Sequence, residues 1–132
     1  GEPGSGRRTL AQWAALLPLI DAANIDLKGF TKDFYDFVGG DLQTVKGSIA
    51  AAVGRIHVEV TTLIIPGKND STQEMDALSA WLAGLDENIP LHISRFFPRH
   101  RLLDLSPTPV DTIHRLVQTA KRHLKYVYPG NC

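Results

Sequence analysis

The chain has 132 residues, 43% hydrophobic and 21% charged, with 14 basic and 14 acidic side chains and a formal net charge of zero. That size and mix suit one domain with a buried core, and the balanced charge argues against a nucleic-acid module driven by bulk electrostatics. No apolar run approaches the roughly 20 residues that span a bilayer, and no charged segment followed by an apolar one reads as a signal peptide. The one cysteine, Cys132, rules out an internal disulfide, which fits a reducing, cytoplasmic setting.

Gly1 to Arg8, GEPGSGRR, read as a flexible leader or an expression remnant, and residues 9–132 as the domain. Thr9 can cap a helix over about residues 10–20, with Leu10, Trp13, Ala14 and Leu17 at helical spacing. Ala22 to Lys28 read as a first strand. Phe30 to Gly40 read as a loop with room for a helical turn at Lys32–Phe37. Asp41 caps a helix whose apolar face carries Leu42, Val45, Ile49 and Val53, and Gly54 sits where a C-terminal glycine belongs.

His57 to Asp70, HVEVTTLIIPGKND, form the central stretch. A side-chain period of two puts His57, Glu59 and Thr61 on one face, and Val58, Val60, Thr62 and Ile64 on the other. Pro66-Gly67 stop the strand. Ser71-Thr72-Gln73-Glu74 match a capping box, in which serine and glutamate satisfy each other's amides. Met75, Leu78, Leu82 and Leu85 line the helix that follows. Leu91 to Phe97 read as a third strand. Thr108-Pro109 read as a cap followed by proline at the first position of a helix, with Ile113, Leu116, Val117, Ala120 and Leu124 on its stripe. Lys125 to Tyr128 read as a fourth strand closed by Pro129-Gly130.

The order αβ-αβ-αβ-αβ predicts an α/β fold with a parallel sheet and right-handed crossovers, four strands and four main helices. Four such units are half of a TIM-type barrel or a small open sheet. In such folds ligands bind where strand C-termini meet loops.

Several residues on this scaffold can carry chemistry. Asn24, Asp26 and Lys28 share one face of the first strand and end at its C-terminal tip. They can grip a zwitterion or a metal-bound carboxylate, or form a weak surface ion pair. His57, Glu59 and Thr61, with His92 and Ser94 on the third strand, line either a barrel interior or the solvated face of an open sheet. Arg95, Arg99, His100 and Arg101 in RFFPRHR offer an anion site, a docking loop for an acidic partner surface, or a solvated loop. The five histidines lack metal-motif spacing, and no G-x-S-x-G, P-loop or G-x-G-x-x-G is present.

NIDLKGF, GGDLQTV, HVEVTTLIIPGKND, PLHISRFFP, the D-x-S-P-T-P turn and LKYVYPGN, in this order, resemble radical S-adenosylmethionine (SAM) enzymes of the pyruvate formate-lyase-activating type. Within these the chain looks most like the radical SAM member of the AmmeMemoRadiSam system, over about residues 10–132. The resemblance implies the C-terminal half of a β/α barrel that binds S-adenosylmethionine and a [4Fe-4S] cluster at its strand C-termini. It implies an iron–sulfur oxidoreductase that generates a 5′-deoxyadenosyl radical, which abstracts hydrogen from a glycine of a partner enzyme or from a small-molecule substrate.

Asp26, Leu27 and Lys28 match the family's D-L-K element, which contacts the cofactor. Thr61 falls where the activating enzyme has an arginine. His100, in Pro98-Arg99-His100, falls on the histidine of the family's P-Y-H segment. Asn24, Glu59, Ser94 and Arg95 are candidate pocket lining. The family's C-x-x-x-C-x-x-C motif, whose thiolates hold the cluster, is absent. On this reading the chain is an inactive fragment that supplies part of the cofactor pocket, and no cofactor is expected bound to it. The open edges of a half barrel predict self-association. The alternative function is a non-catalytic module docking a partner through RFFPRHR.

Overall fold

The computed structural model describes residues 22–97 and 106–131. The elements are β1 (Ala22–Asp26), α1 (Lys32–Val38), α2 (Leu42–Ala52), β2 (His57–Ile64), α3 (Thr72–Leu85), β3 (Leu91–Arg95), α4 (Val110–Ala120) and β4 (Val127–Gly130). The strands form one sheet in the order β1-β2-β3-β4, every pair parallel. The helix expected near residues 10–20 lies outside the described residues. No described helix is long and apolar enough to cross a membrane.

Alternation decides which side of the sheet is covered. Ile25, Val58, Val60, Ile64, Leu91, Ile93 and Val127 share a core with Ile49 of α2, Met75, Leu78 and Leu82 of α3, and Ile113, Leu116 and Ala120 of α4. Burying each such side chain is worth about 1.5–3 kcal/mol before entropy. The helices between strands thus lie on one face, so the crossovers share one hand. The opposite face carries Asn24, Asp26, Glu59, Thr61, Leu63, His92, Ser94 and Tyr128, none of them buried. Parallel sheets are normally covered on both faces. Among the described residues this one is covered on one only.

Local chemistry explains where the elements depart from the sequence expectations. After β1 a short loop leads into α1, so the helical turn expected at Lys32–Phe37 is a full helix over Lys32–Val38. Thr31 caps α1 by accepting from the Phe34 amide at 3.1 Å. β3 stops at Arg95, two residues early, because the Phe96 amide and carbonyl both bond Thr108 instead of a neighbouring strand. Thr108 consequently does not cap α4, whose start at Pro109 has no side-chain cap. β4 lies further along the chain than expected and includes Pro129 and Gly130. As the last strand of the described sheet it tolerates a proline. β1 ends at Asp26, although the Leu27 amide adds one more bond to the Thr61 carbonyl at 2.9 Å.

Candidate functional site

Register brings the first group together. Asn24 lies opposite Glu59 and Asp26 opposite Thr61. The Thr61 hydroxyl donates to Asn24 Oδ1 at 2.8 Å. Two residues beyond Asp26, Lys28 Nζ donates to Asp26 Oδ2 at 2.9 Å, with both side chains about half exposed. A pair so open to water is worth little on its own and is easily exchanged for a ligand. Leu27 points the other way and is fully buried in the core. Any contact from it on the uncovered face is therefore by backbone.

A second group lies nearer the strand starts. Glu59 sits between two imidazoles, with His92 Nε2 at 2.6 Å and His57 Nε2 at 3.0 Å from its two oxygens. The hydrogen bond from His92, then that from His57, holds its carboxyl below the usual carboxylate range. The His92 ring stacks on Tyr128 of β4, centroids 5.4 Å apart. Ser94 packs against Gly130, where an added Cβ would lie 2.5 Å from the Ser94 hydroxyl. Among the described residues no group of three or more His, Cys, Asp or Glu side chains is placed to hold a metal ion.

The strand tips are tied by residues that sequence reasoning passed over or gave a different role. Asn69 is buried. Its amide donates to the carbonyls of Lys28 and Leu63, and its Oδ1 accepts from the Ile65 amide. Its only sequence signal is an asparagine two residues after Pro66-Gly67. Glu74 makes half of the expected capping box. Ser71 Oγ accepts from the Glu74 amide at 3.0 Å, but the Glu74 carboxylate accepts from the distant Phe30 amide at 2.7 Å. Burial pushes the Glu74 carboxyl above its usual range. Tyr35 is buried too, and its hydroxyl accepts from the Lys28 amide at 3.0 Å. Desolvation pushes its pKa up to about 12.

At the neighbouring tip Thr108 donates to the Ile64 carbonyl and accepts from the Phe96 amide. Arg95 is engaged there as well. Its Nε donates to the Thr108 carbonyl at 2.7 Å, and its guanidinium lies 4.6 Å from the Phe97 ring centre. His100 lies outside the described residues, as do Arg99 and Arg101.

No protein-family model matches the chain. Over 119 residues it is 40% identical to the uncharacterized protein MJ0808 of Methanocaldococcus jannaschii, an alignment covering 85% of this chain and 34% of that protein. The chain thus spans about a third of the length of the curated relative it matches. A crystal structure of a domain of pyruvate-formate lyase-activating enzyme from Bacteroides vulgatus superposes with a TM-score of 0.79, over 92% of this chain and 74% of that one, at 12% identity. At that identity the likeness is one of fold. The chain has the α/β fold of that activating-enzyme domain, with four parallel strands and helices packed on one face of the open sheet.

Proposed function

We propose that this chain supplies part of the S-adenosylmethionine pocket of a radical SAM enzyme of the pyruvate formate-lyase-activating kind, related to the radical SAM member of the AmmeMemoRadiSam system. The observation that carries the reading is the meeting of Asn24, Asp26, Lys28 and Thr61 on the uncovered face, where β1 reaches its C-terminal end beside the middle of the neighbouring parallel strand β2. That end is where parallel α/β folds bind ligands. The ordered motifs around D-L-K and P-G, and the fold shared with the activating-enzyme domain, support it further.

Bound S-adenosylmethionine presents an amino-acid zwitterion beside a reactive sulfonium. With the exposed Asp26–Lys28 pair opened, the Asp26 carboxylate would hold the ligand ammonium and the Lys28 ammonium its carboxylate. Asn24 and Thr61 offer an amide and a hydroxyl beside them. A [4Fe-4S] cluster does not fit the residues of this chain. It is held by several cysteine thiolates, and the sequence has one cysteine. The chain is accordingly a binding part and not, alone, a catalyst.

Calorimetric titration with S-adenosylmethionine tests the reading. No cofactor is expected to stay bound to the chain alone, but at high ligand concentration saturable binding is expected, abolished by Asp26→Ala with unchanged circular dichroism. Absence of saturable binding, or binding that Asp26→Ala leaves intact, rejects it.

A further inference from the structure

Residues 28–30 follow β1 and carry Lys28, yet β1 itself ends at Asp26. The ladder no longer holds them, and their backbone groups bond to side chains instead. The Lys28 amide donates to the Tyr35 hydroxyl at 3.0 Å. The Lys28 carbonyl accepts from Asn69 Nδ2 at 2.8 Å. The Phe30 amide donates to Glu74 Oε2 at 2.7 Å. Between them Gly29 is packed so closely that an added Cβ would lie 2.4 Å from the Phe34 ring and 3.0 Å from Glu74 Oε2. Side chains from α1, from the β2–α3 loop and from α3 thus converge on one short stretch.

Asn69 is the member that reaches both strand tips. Besides Lys28 it holds the Leu63 carbonyl at 2.9 Å, and its Oδ1 takes the Ile65 amide at 2.7 Å. At 3% exposure, both ends of its amide are occupied by backbone. A buried amide with its donors and acceptor all engaged locks a geometry, because moving it strands several groups at once.

We propose that Asn69 is a positioning residue. By binding Lys28, Leu63 and Ile65 together it sets the spacing between the Asp26–Lys28 pair at the end of β1 and Thr61 on β2, without itself touching a ligand. The ligand part of this claim rests on the cofactor reading above. Asn69→Asp keeps the shape and the acceptor for Ile65 but loses both donors, so it removes the tie without opening a cavity.

The test uses the whole chain, as wild type, Asn69→Ala, Asn69→Asp and Thr108→Val. The last removes a comparable stitch between the tips of β2 and β3. Two quantities are read: S-adenosylmethionine affinity by calorimetry, and amide hydrogen exchange at Lys28 and Phe30. Both Asn69 variants should weaken binding by about tenfold and speed exchange at Lys28 and Phe30 by at least about tenfold, the scale of one lost hydrogen bond. Exchange at Val60, whose amide bonds the Pro90 carbonyl, should stay unchanged. Thr108→Val should keep wild-type affinity and wild-type exchange at Lys28 and Phe30. Wild-type affinity in Asn69→Asp, or an equal loss in Thr108→Val, overturns the proposal. If the wild type binds no S-adenosylmethionine, the cofactor reading falls instead. The exchange data then decide alone, faster exchange at Lys28 and Phe30 supporting the positioning role and unchanged exchange overturning it.

Discussion

His92 Nε2 lies 2.6 Å from Glu59 Oε1 across the β2–β3 ladder, and His57 takes the other carboxylate oxygen at 3.0 Å. These hydrogen bonds, the one from His92 first, lower the Glu59 pKa from its ordinary 4.5. A folded-state pKa below the unfolded one adds stability that is present above pH 4.5 and lost as pH falls through the folded value. Asp41 and Asp76 are lowered as well, so the whole protein should lose stability in acid. Glu59→Gln should lose less than the wild type between pH 4.5 and pH 2.5, as read by urea unfolding across that range. Parallel curves for the two proteins would refute the assignment.

Glu74 has the opposite sign. Burial raises its pKa above the ordinary 4.5, against the lowering effect of the Phe30 amide. Its folded state therefore holds a proton that the unfolded chain has released, and stability falls as pH rises from 4.5 through the folded value. Glu74→Gln keeps an acceptor for the Phe30 amide without a charge to desolvate. The variant should gain on the wild type as pH rises through that window, in the same unfolding series. A difference that is constant with pH would show that Glu74 does not titrate there.

Thr62 faces the helices from the middle of β2 and is 1% exposed. Its hydroxyl has no hydrogen-bond partner among the described residues. A buried hydroxyl without a partner costs roughly 1–3 kcal/mol. Thr62→Val keeps the shape and removes the polar atom, so it should stabilise the protein by about 1 kcal/mol. Guanidinium unfolding would measure this, and a loss of stability would mean that the hydroxyl is satisfied.

Much of this architecture is legible in residue spacing because each strand obeys one period. Val58, Val60, Thr62 and Ile64 turn inward as the alternation requires, and Asn24, Asp26 and Thr61 meet on the other face for the same reason. The alternation breaks down where side chains reach far along the chain. The Glu74 carboxylate has a local partner on paper, the Ser71 amide, and a distant one in the fold, the Phe30 amide 44 residues away. Thr108-Pro109 looks like a helix start, but the threonine is taken by Ile64, also 44 residues away, and by Phe96. Asn69 gives no periodic signal at all, since a turn asparagine is commonplace. Local rules find the elements, whereas the ties between strand tips depend on which distant backbone groups the strands leave unpaired.

The last prediction uses two glycines, one in a packed loop and one on an open helix face. Gly29 sits in the stretch held by Tyr35, Asn69 and Glu74, and an added Cβ would meet the Phe34 ring at 2.4 Å. Phe34 is itself buried at 4% exposure, so its ring has little room to swing away. Gly29→Ala must shift either the ring or the backbone, at a cost of about 1–3 kcal/mol. If the backbone yields, the Lys28 amide and carbonyl leave their partners and the Asp26–Lys28 pair moves with them. Gly84, in the last turn of α3, has nothing within 4 Å of an added Cβ. Gly84→Ala should stabilise the protein by up to about 1 kcal/mol, through helix propensity alone. Thermal and urea unfolding of the two variants should therefore move in opposite directions. Destabilisation by both would point to a general intolerance of added methyl groups. Stabilisation by both would show that the loop after β1 has more space than its packing against Phe34 allows.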